Sequence, residues 1–550
     1  MLRIIVRNSV VAFSSFIILI SSTYSQQWVK KSGSAGDDRA LAVATDKQGF
    51  IYITGYETRT GTGEDIVVIK YNPGGVEMWR RYYNGPGNSN DRAFGIVVDN
   101  SGNVIVCGYS TGVGSMTDIT AVKYNSAGTQ QWVSRYNEPG NGDDRAFGIA
   151  VDRVGNVYVT GYITRIGTDI YTIKFRASNG EYMWGQLING TANDDDKAFG
   201  IAVDSIGANV YICGYTTNNT TGVDFTTARY DSSGVLLWDD KYNGFESGED
   251  KAFGIVVDTD ENIFVTGHST GANSREDCIT IKYLKAGDTS WVARYNGSGN
   301  HNDRAFGIVV DTDGNSYITG YTVAPDTTTT NYITIKYNSE GAQQWAMPYN
   351  GIGNYQDTAF AICLPKNSEY VFVTGGSSND TITGKMNVVT VRYDIENGAE
   401  NQFNIFNGED NKNDAGTAIT ADTSGNVYVA GYTESTATSY DMLLVKFLGG
   451  ELIGLNVIST EVPRSFMLYQ NYPNPFNPVT TIKFDVQQEA FVKLKIYDIL
   501  GREVAVLVNE NLRVGTYEAV FGTTKLASGL YFYELTAEDY KEVKKMILLK

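Results

Sequence analysis

Histidine and cysteine are scarce in this chain, and several classes of function depend on them. Its 550 residues include 2 histidines and 4 cysteines. Two imidazoles leave little material for acid–base catalysis or for a transition-metal centre, so no catalytic residue, metal ligand or cofactor is predicted. Each cysteine replaces an ordinary strand residue of a repeat described below. We therefore expect buried free thiols at Cys107, Cys213, Cys278 and Cys363.

Positive charge and long apolar runs are also lacking. The chain has 44 Lys and Arg against 62 Asp and Glu, a net charge of −18, which would repel nucleic acid and anionic membranes as partners. No run after residue 25 is long and apolar enough to span a bilayer, so no transmembrane span is predicted in the mature chain. The 59 glycines and 37 tyrosines are typical of a folded, turn-rich, all-β protein.

The N-terminal segment has the parts of a secretory signal peptide. Two arginines open it, and an apolar core follows from Val10 to Ile20. That core is shorter than the about 20 residues of a spanning helix, which disfavours a stable anchor. Ser25 is a small residue directly before a cleavage position at Gln26. We therefore predict a signal peptide over residues 1–25 and an exported mature chain that begins at Gln26.

One stretch of sequence recurs along the chain. “DRAFGIVVDNSGNVIVCGY” from Asp91 returns as “DRAFGIAVDRVGNVYVTGY” from Asp144. Successive copies begin 52 to 57 residues apart, at Asp38, Asp91, Asp144, Asp196, Asp250, Asp303, Asp357 and Asp414. Each unit predicts four strands, as in “AFGIVV”, “GNVIVCGY”, “DITAVKYN” and “QQWVSRYN”. Repeats of this length made of short strands are typical of a β-propeller with one four-stranded sheet per unit.

The two ends of the repeat array complement each other. The mature chain opens with “QQWVKK”, a fourth strand with nothing before it, and unit eight ends at “MLLVKFLGG” without a fourth strand. We predict that the opening strand pairs near Met442 to Phe447 and closes an eight-bladed propeller over residues 26–452. The repeat resembles the bacterial SBBP-type β-propeller repeat. That family's name implies seven blades, which is the alternative to the eight units counted here.

The C-terminal region has a different pattern. Residues 453–465 are predicted to be a linker, and residues 466–550 alternate in short strands that suit a small Ig-like β-sandwich. “YPNPFNP”, “IYDILGREV”, “LASGLYFYEL” and “KKMILLK” resemble, in order, the C-terminal sorting domain (type A) of the type IX secretion system. The resemblance implies the type IX machinery as a partner, export through the periplasm and outer membrane, and a secreted or cell-surface location. Whether the tail is removed stays open.

Candidate site residues lie where the units differ. In a propeller, the fourth-to-first and second-to-third connections open on one face, here called the loop face. The fourth-to-first loops, such as “NGPGNSND” and “NGTANDDD”, are rich in oxygen ligands that suit Ca²⁺. Ordinary turns use the same residues, so Ca²⁺ is weighed but not assigned. Binding residues are predicted on this face at Asp143, Asp194, Asp195, His301 and Tyr355.

Repetition without a distinctive outlier favours binding over catalysis. His268 replaces the tyrosine of its unit and is interpreted as a drifted repeat residue. Carboxylates five residues before a basic residue, such as Asp65 and Lys70, recur in most units and are interpreted as part of the fold. Variable loops on a rigid scaffold suit recognition. We predict a surface-displayed, non-catalytic propeller that binds a glycan or a protein. The alternatives are a secreted carbohydrate-active hydrolase or lyase using loop-face carboxylates, and a purely structural surface protein.

Overall fold

The computed structural model describes residues 26–34, 36–204, 206–245, 248–272, 275–324, 329–351, 353, 355–378, 384–408, 410, 412–447, 452–459, 463–476, 479–512, 514–522 and 526–549. The predicted signal peptide, residues 1–25 with Ser25 at the cleavage position before Gln26, lies entirely outside these residues. The described residues form 40 strands, so the chain is all-β as predicted. They contain no helix long and apolar enough to cross a membrane.

Within the described part of residues 26–447, strand β1 (Gln26–Ser32) and the next 31 strands assemble into eight four-stranded sheets. Sheets one to four comprise β2 (Arg39–Thr45), β3 (Ile51–Arg59), β4 (Gly63–Tyr71), β5 (Glu77–Tyr83); β6 (Arg92–Val98), β7 (Val104–Thr111), β8 (Thr117–Tyr124), β9 (Gln130–Tyr136); β10 (Arg145–Val151), β11 (Val157–Arg165), β12 (Gly167–Phe175), β13 (Tyr182–Ile188); and β14 (Lys197–Val203), β15 (Asn209–Asn218), β16 (Gly222–Asp231), β17 (Leu236–Tyr242). Sheets five to eight comprise β18 (Asp250–Val257), β19 (Ile263–Thr270), β20 (Glu276–Tyr283), β21 (Thr289–Tyr295); β22 (Arg304–Val310), β23 (Ser316–Val323), β24 (Thr330–Tyr337), β25 (Gln343–Tyr349); β26 (Asp357–Cys363), β27 (Tyr370–Ser378), β28 (Met386–Asp394), β29 (Glu400–Phe406); and β30 (Asp414–Ala421), β31 (Val427–Ser435), β32 (Ser439–Phe447), which pairs with β1.

The first strands of successive sheets pack against each other and need small residues to do so. A Cβ added at Gly95 would lie 2.8 Å from Cγ2 of Ile149 in the next sheet. The strand also shifts register between Ala93 and Gly95. A Cβ added opposite this bulge, at Gly108, would lie 1.9 Å from the carbonyl oxygen of Arg92. The first strand therefore needs a small residue where the sheets crowd together, and the second strand needs glycine opposite the bulge of its own sheet.

Neighbouring sheets are joined at their outer strands by tryptophan and lysine. Nε1 of Trp79 donates to the carbonyl oxygen of Ser126 at 3.1 Å, and Nζ of Lys70 donates to the same oxygen at 3.0 Å. The indole lies so close to Gly128 that an added Cβ would be 2.8 Å from the ring. The basic member of the repeated pair, Lys70, therefore joins one sheet to the next, and the carboxylate member stays interpreted as part of the fold. The same tryptophan-to-carbonyl bond recurs at Trp132, Trp184, Trp238, Trp291 and Trp345.

Sheet eight meets sheet one through both ends of the array. Strand β1 runs antiparallel to β32, with Trp28 opposite Lys446, which confirms the pairing predicted for “QQWVKK”. Nζ of Lys446 donates to the carbonyl oxygen of Pro73 in sheet one at 3.0 Å, the bond that lysines of the earlier sheets make to their successors. The backbone N–H of Asp38 donates to the carbonyl oxygen of Tyr440 at 2.9 Å. The first strands β2 and β30 are also in contact.

The C-terminal residues form two further four-stranded sheets. One contains β33 (Leu452–Ser459), β34 (Met467–Leu468), β35 (Val479–Val486) and β38 (Gly515–Gly522); the other contains β36 (Ala490–Tyr497), β37 (Glu503–Leu512), β39 (Gly529–Ala537) and β40 (Tyr540–Leu548). Both contribute to one apolar core, which includes Phe484, Leu494, Tyr533 and Met546.

The predicted linker contains a strand of the C-terminal unit. The segment predicted as a linker, residues 453–465, is corrected, because it contains most of β33, which pairs with β38 from Leu452 opposite Gly522. Pairing of its backbone with the tail sheet makes residue 452 the start of the C-terminal unit rather than the end of the repeats.

The four cysteines are free and buried, as expected.

Candidate functional site

Each fourth-to-first loop is fastened by the aspartate that opens the following unit. Oδ2 of Asp91 accepts the backbone N–H of Gly85 at 2.5 Å, and Oδ1 accepts the N–H of Thr111 at 2.8 Å. The carboxylate thus ties the linking loop to the end of the second strand on the loop face. All eight equivalent residues are fully buried: Asp38, Asp91, Asp144, Asp196, Asp250, Asp303, Asp357 and Asp414.

Burial changes how these aspartates titrate. Burial raises the pKa of Asp91, Asp144 and Asp196 to about 6, against the opposing effect of the backbone N–H groups that each carboxylate accepts. An unfolded aspartate titrates near 3.9, so between these values the folded chain binds more protons than the unfolded chain. The free energy of unfolding therefore falls as pH rises through this interval and levels off above about 6.

We expect the protein to unfold less readily at pH 5 than at pH 7.5. The gain is about 1 kcal/mol for each of the three carboxyls, measured by urea denaturation of the mature chain. Protonation also relieves general repulsion in this acidic chain, but that effect is common to all variants. In Asp196→Asn the difference in the free energy of unfolding between the two pH values should shrink by about 1 kcal/mol, the share of one carboxyl. An unchanged difference in that variant would contradict the assignment.

Immediately after this aspartate, six units carry a cation, and this series of residues is here called the rim. These residues are Arg39, Arg92, Arg145, Lys197, Lys251 and Arg304. Most lie over an aromatic ring of the preceding sheet, as the guanidinium of Arg92 does over Tyr56 at 4.4 Å and that of Arg145 over Tyr109 at 4.7 Å. Such contacts stabilise and orient the cation. Units seven and eight have Thr358 and Ala415 at this position.

Every one of these cations has a carboxylate partner, drawn from either of two positions. In some units it comes from the linking loop, as in Asp195 with Lys197 at 3.0 Å. In others it comes from the third strand of the preceding unit, as in Glu64, whose Oε1 accepts Nη2 of Arg92 at 2.7 Å. Burial opposes ionisation of Asp195, but its bond to Lys197 holds the pKa of that carboxyl below its ordinary value. Each cation of the rim is thus neutralised by a carboxylate beside it.

Two residues after each rim position, the phenylalanines of units two to seven form a continuous series of ring contacts. Neighbouring ring centroids lie 5.2 to 6.3 Å apart along Phe94, Phe147, Phe199, Phe253, Phe306 and Phe360. Units one and eight have Leu41 and Thr417 there, so the aromatic series is an arc and not a ring. A cavity of about 320 Å³ lies beside it, lined by the first strands of sheets three to seven, including Gly200, Ile201 and Ile255.

The five predicted binding residues all lie in fourth-to-first loops, but only some reach the rim. Asp143 pairs with Arg145 at 3.5 Å and Asp195 pairs with Lys197, so both belong to the repeated ion pairs. Asp194 is exposed and accepts the backbone N–H of Asp195 at 2.8 Å. His301 is half-buried in the loop before unit six. Tyr355, before unit seven, is 42% exposed, beside the second-to-third loop at Gly384.

Sequence reasoning missed the cations and the phenylalanines of the rim. Their signal was present in the motif “D-R-A-F-G”, where arginine and phenylalanine recur at the same place. Their partners, however, come from the neighbouring unit. Nothing in one copy of the motif shows that Arg92 meets Tyr56 or that Phe94 meets Phe147.

The asparagines of the linking loops serve as turn residues. Asn88, Asn141, Asn193 and Asn300 have φ between 46° and 57°, a conformation that asparagine tolerates. The side-chain oxygen of Asn88 accepts Nδ2 of Asn84 at 2.7 Å, and Asn300 does the same with Asn296. These oxygens are already engaged within the loops. The suggestion that such loops hold Ca²⁺ stays a prediction.

Two families match parts of the chain. The beta-propeller repeat (SBBP) matches residues 131–166, 241–273, 291–324 and 408–436, and the secretion system C-terminal sorting domain matches residues 470–549. The chain is therefore an all-β protein built of beta-propeller repeats. It ends in a type IX sorting domain, which directs it to the cell surface or the extracellular space. No curated protein shows significant sequence similarity to it.

Several solved structures are similar to the chain at low sequence identity. Sqt1 from Chaetomium thermophilum, bound to the N-terminus of ribosomal protein L10, has a TM-score of 0.49 at 9% identity over 76% of this chain and 98% of its own. Quinohemoprotein alcohol dehydrogenase from Comamonas testosteroni gives 0.48 at 11%, over 82% and 80%. The beta-propeller domain of the Trilobed protease from Pyrococcus furiosus gives 0.38 at 10%, over 68% and 96%. At these values the similarities do not bear on function.

Proposed function

We propose that the protein is an exported, surface-displayed and non-catalytic propeller that binds a partner on its loop face. In this proposal the eight sheets of residues 26–447 close into one eight-bladed ring. Residues 452–550 form an Ig-like β-sandwich that engages the type IX secretion machinery. Closure is supported by the pairing of β1 with β32 and by the bond from Lys446 to Pro73.

The observation that carries the binding role is the gap in the rim at units seven and eight. Six units present a cation stacked on an aromatic ring or paired with a carboxylate, whereas unit seven presents Thr358 and unit eight presents Ala415. Unit seven also has Gly376 where most units have tyrosine. The mouth is therefore wider on one side, next to the exposed rings of Tyr355 and Phe360. A ligand has an asymmetric feature to recognise in an otherwise repetitive ring.

The composition of the mouth favours a protein segment over a glycan. An apolar floor formed by the phenylalanine arc lies inside a rim of ion pairs, the arrangement of a protein–protein interface with an apolar centre and a polar border. Phe360, at the open end of the arc, is 41% exposed and available to an apolar side chain of a partner. A glycan is the alternative outcome of the experiment below.

Closing the gap should abolish binding. Thr358→Arg restores the cation present in six other units and places it toward Tyr321, the ring that the preceding sheet offers. We expect the mature chain, probed on protein and glycan arrays, to lose at least about tenfold in affinity for its ligand in this variant. Thr358→Ser, which keeps the gap, should bind normally.

A substitution on the opposite face is the second control. Asp311 fastens a first-to-second hairpin by accepting the N–H groups of Asp313 and Asn315 and the hydroxyl of Tyr317. Asp311→Ala should lower thermal stability and leave binding intact. If Asp311→Ala removed binding from a folded protein while Thr358→Arg did not, the loop face would not be the binding surface. Release of products from a polysaccharide panel would establish the enzyme alternative.

A further inference from the structure

Sheet five carries a residue that other sheets lack beside the rim. In β19, His268 stands where six other units have tyrosine: Tyr56, Tyr109, Tyr162, Tyr215, Tyr321 and Tyr432. The chain has only one other histidine, His301. Replacing a phenol by an imidazole at one of these positions introduces a nitrogen ligand at a rim that otherwise offers oxygen.

The imidazole of His268 is buried without a hydrogen-bond partner. Its side chain is 1% exposed, and among the described residues neither Nδ1 nor Nε2 has a partner. The ring stacks on Phe253 with centroids 5.5 Å apart. A neutral imidazole has one ring nitrogen with a free lone pair, and here no hydrogen-bond donor among the described residues occupies it.

Two carboxylates lie close to the imidazole of His268. Glu249 comes from the linking loop before unit five, and Glu276 begins β20. One oxygen of each glutamate and one nitrogen of His268 all lie within 4.8 Å of one another, and Nε2 is 3.9 Å from Oε1 of Glu276. Three ligands bound about 2 Å from a common ion lie about 3 to 4 Å apart. Glu249 is exposed, so its side chain is free to turn toward the other two ligands.

Each of the two carboxylates already pairs with a neighbouring cation. Nη2 of Arg304 donates to Oε1 of Glu276 at 2.8 Å, and Nζ of Lys251 lies 2.9 Å from Oε2 of Glu249. Each carboxylate oxygen has a second lone pair that can accept another partner. The flexible ammonium of Lys251 is the group that a bound ion would displace. In unit one, Asp37 and Glu64 surround Tyr56 in the same way, so the histidine is what distinguishes sheet five.

We propose that Glu249, His268 and Glu276 form a binding site for one divalent transition-metal ion of the Zn²⁺ class. One imidazole and two carboxylates suit Zn²⁺ or Co²⁺ better than Ca²⁺, which prefers oxygen ligands alone. The exposed side of Glu249 gives the ion a route from the loop face. The site is independent of the ligand proposed for the unit-seven gap.

The test uses the mature chain without a histidine tag, stripped of metal with EDTA. Titration calorimetry with Zn²⁺ and visible absorption with Co²⁺ should show one ion per chain at near-neutral pH. His268→Tyr restores the residue of the other units, and we expect it to weaken the affinity by at least about tenfold while keeping the melting temperature. His301→Ser, which copies Ser89 of unit two, is the matched control and should bind as the parent does.

The remaining outcomes separate this site from adventitious binding. Glu249→Gln lies at the exposed rim, leaves the core unchanged and should also weaken the affinity for Zn²⁺. Equal binding by the parent and His268→Tyr would overturn the proposal, and so would an equal loss in His301→Ser. Failure of the parent chain to bind either ion would overturn it as well. Should His268→Tyr fold poorly, the result for Glu249→Gln decides.

Discussion

Removing β1 (Gln26–Ser32) should lower the free energy of unfolding of the mature protein by on the order of 5 kcal/mol or more. The deletion exposes the paired edge of β32 and uncovers the surface over which Trp28 packs. An open sheet edge is also a template for association with other chains, so we expect aggregation on heating. Urea denaturation and light scattering of the chain beginning at Gly33 measure both effects.

A rearranged chain is the control for this deletion. The residues of β1 can be placed behind Phe447 through a short glycine–serine turn, where the other sheets have their fourth strand. Stability should then return, because the same strand pairs with β32 from the other end. Full stability of the deletion itself, or no recovery in the rearranged chain, would show that β1 does not close a ring.

Ending the chain at Phe447 should abolish secretion while preserving the propeller. The sorting domain matches residues 470–549, and the tail core is built from residues 468 to 548, so neither contributes to the eight sheets. We expect the shortened protein to fold, bind its ligand and accumulate in the periplasm of its host. Fractionation and immunoblotting of periplasm, cell surface and medium give the distribution.

The position of the cut matters in that experiment. A chain ending at residue 465 would keep β33 without β38, its partner in the tail sheet, and would expose an unpaired strand. As a converse, residues 452–550 fused behind a periplasmic reporter should carry it to the outside. Appearance of the Phe447 truncation at the surface or in the medium would mean that the tail is not the export signal.

The repeat makes much of this fold predictable from sequence, for a physical reason. Because the repeat has a period near 53 residues, each local feature occurs once in every unit. The turn residues and the small residue at Gly95 can therefore be recognised by comparing the units. The pairing of β1 with β32 also followed from the sequence, because a fourth strand at one end matched a missing one at the other. The strand β33 could not be recognised in this way, since it belongs to no repeat and its partner β38 lies far along the chain.

The site was less predictable because its contacts run between units. Asp143 and Asp195 were chosen as features that vary from unit to unit. In the structure they take one side of a recurring ion pair whose carboxylate comes from two alternative positions, as Glu64 shows for Arg92. An alignment of the units compares one position at a time. It therefore does not show that a carboxylate at one position can replace a carboxylate at the other. For the same reason His268 looked like drift, although it lies between two glutamates.

In the proposed closed ring, the last sheet is completed only when the whole repeat array has been synthesised. Strand β1 is the first part of the mature protein to emerge, and its partner β32 is the last strand of the array, more than 400 residues later. A chain interrupted before β32 therefore keeps unpaired strand edges. Such edges favour aggregation and proteolysis of the incomplete chain. Because the sorting domain follows β32, a chain that presents a folded tail to the export machinery has already acquired every strand it needs to seal itself. Any chain that carries its sorting domain thus also carries both strands of the closing pair, β1 and β32.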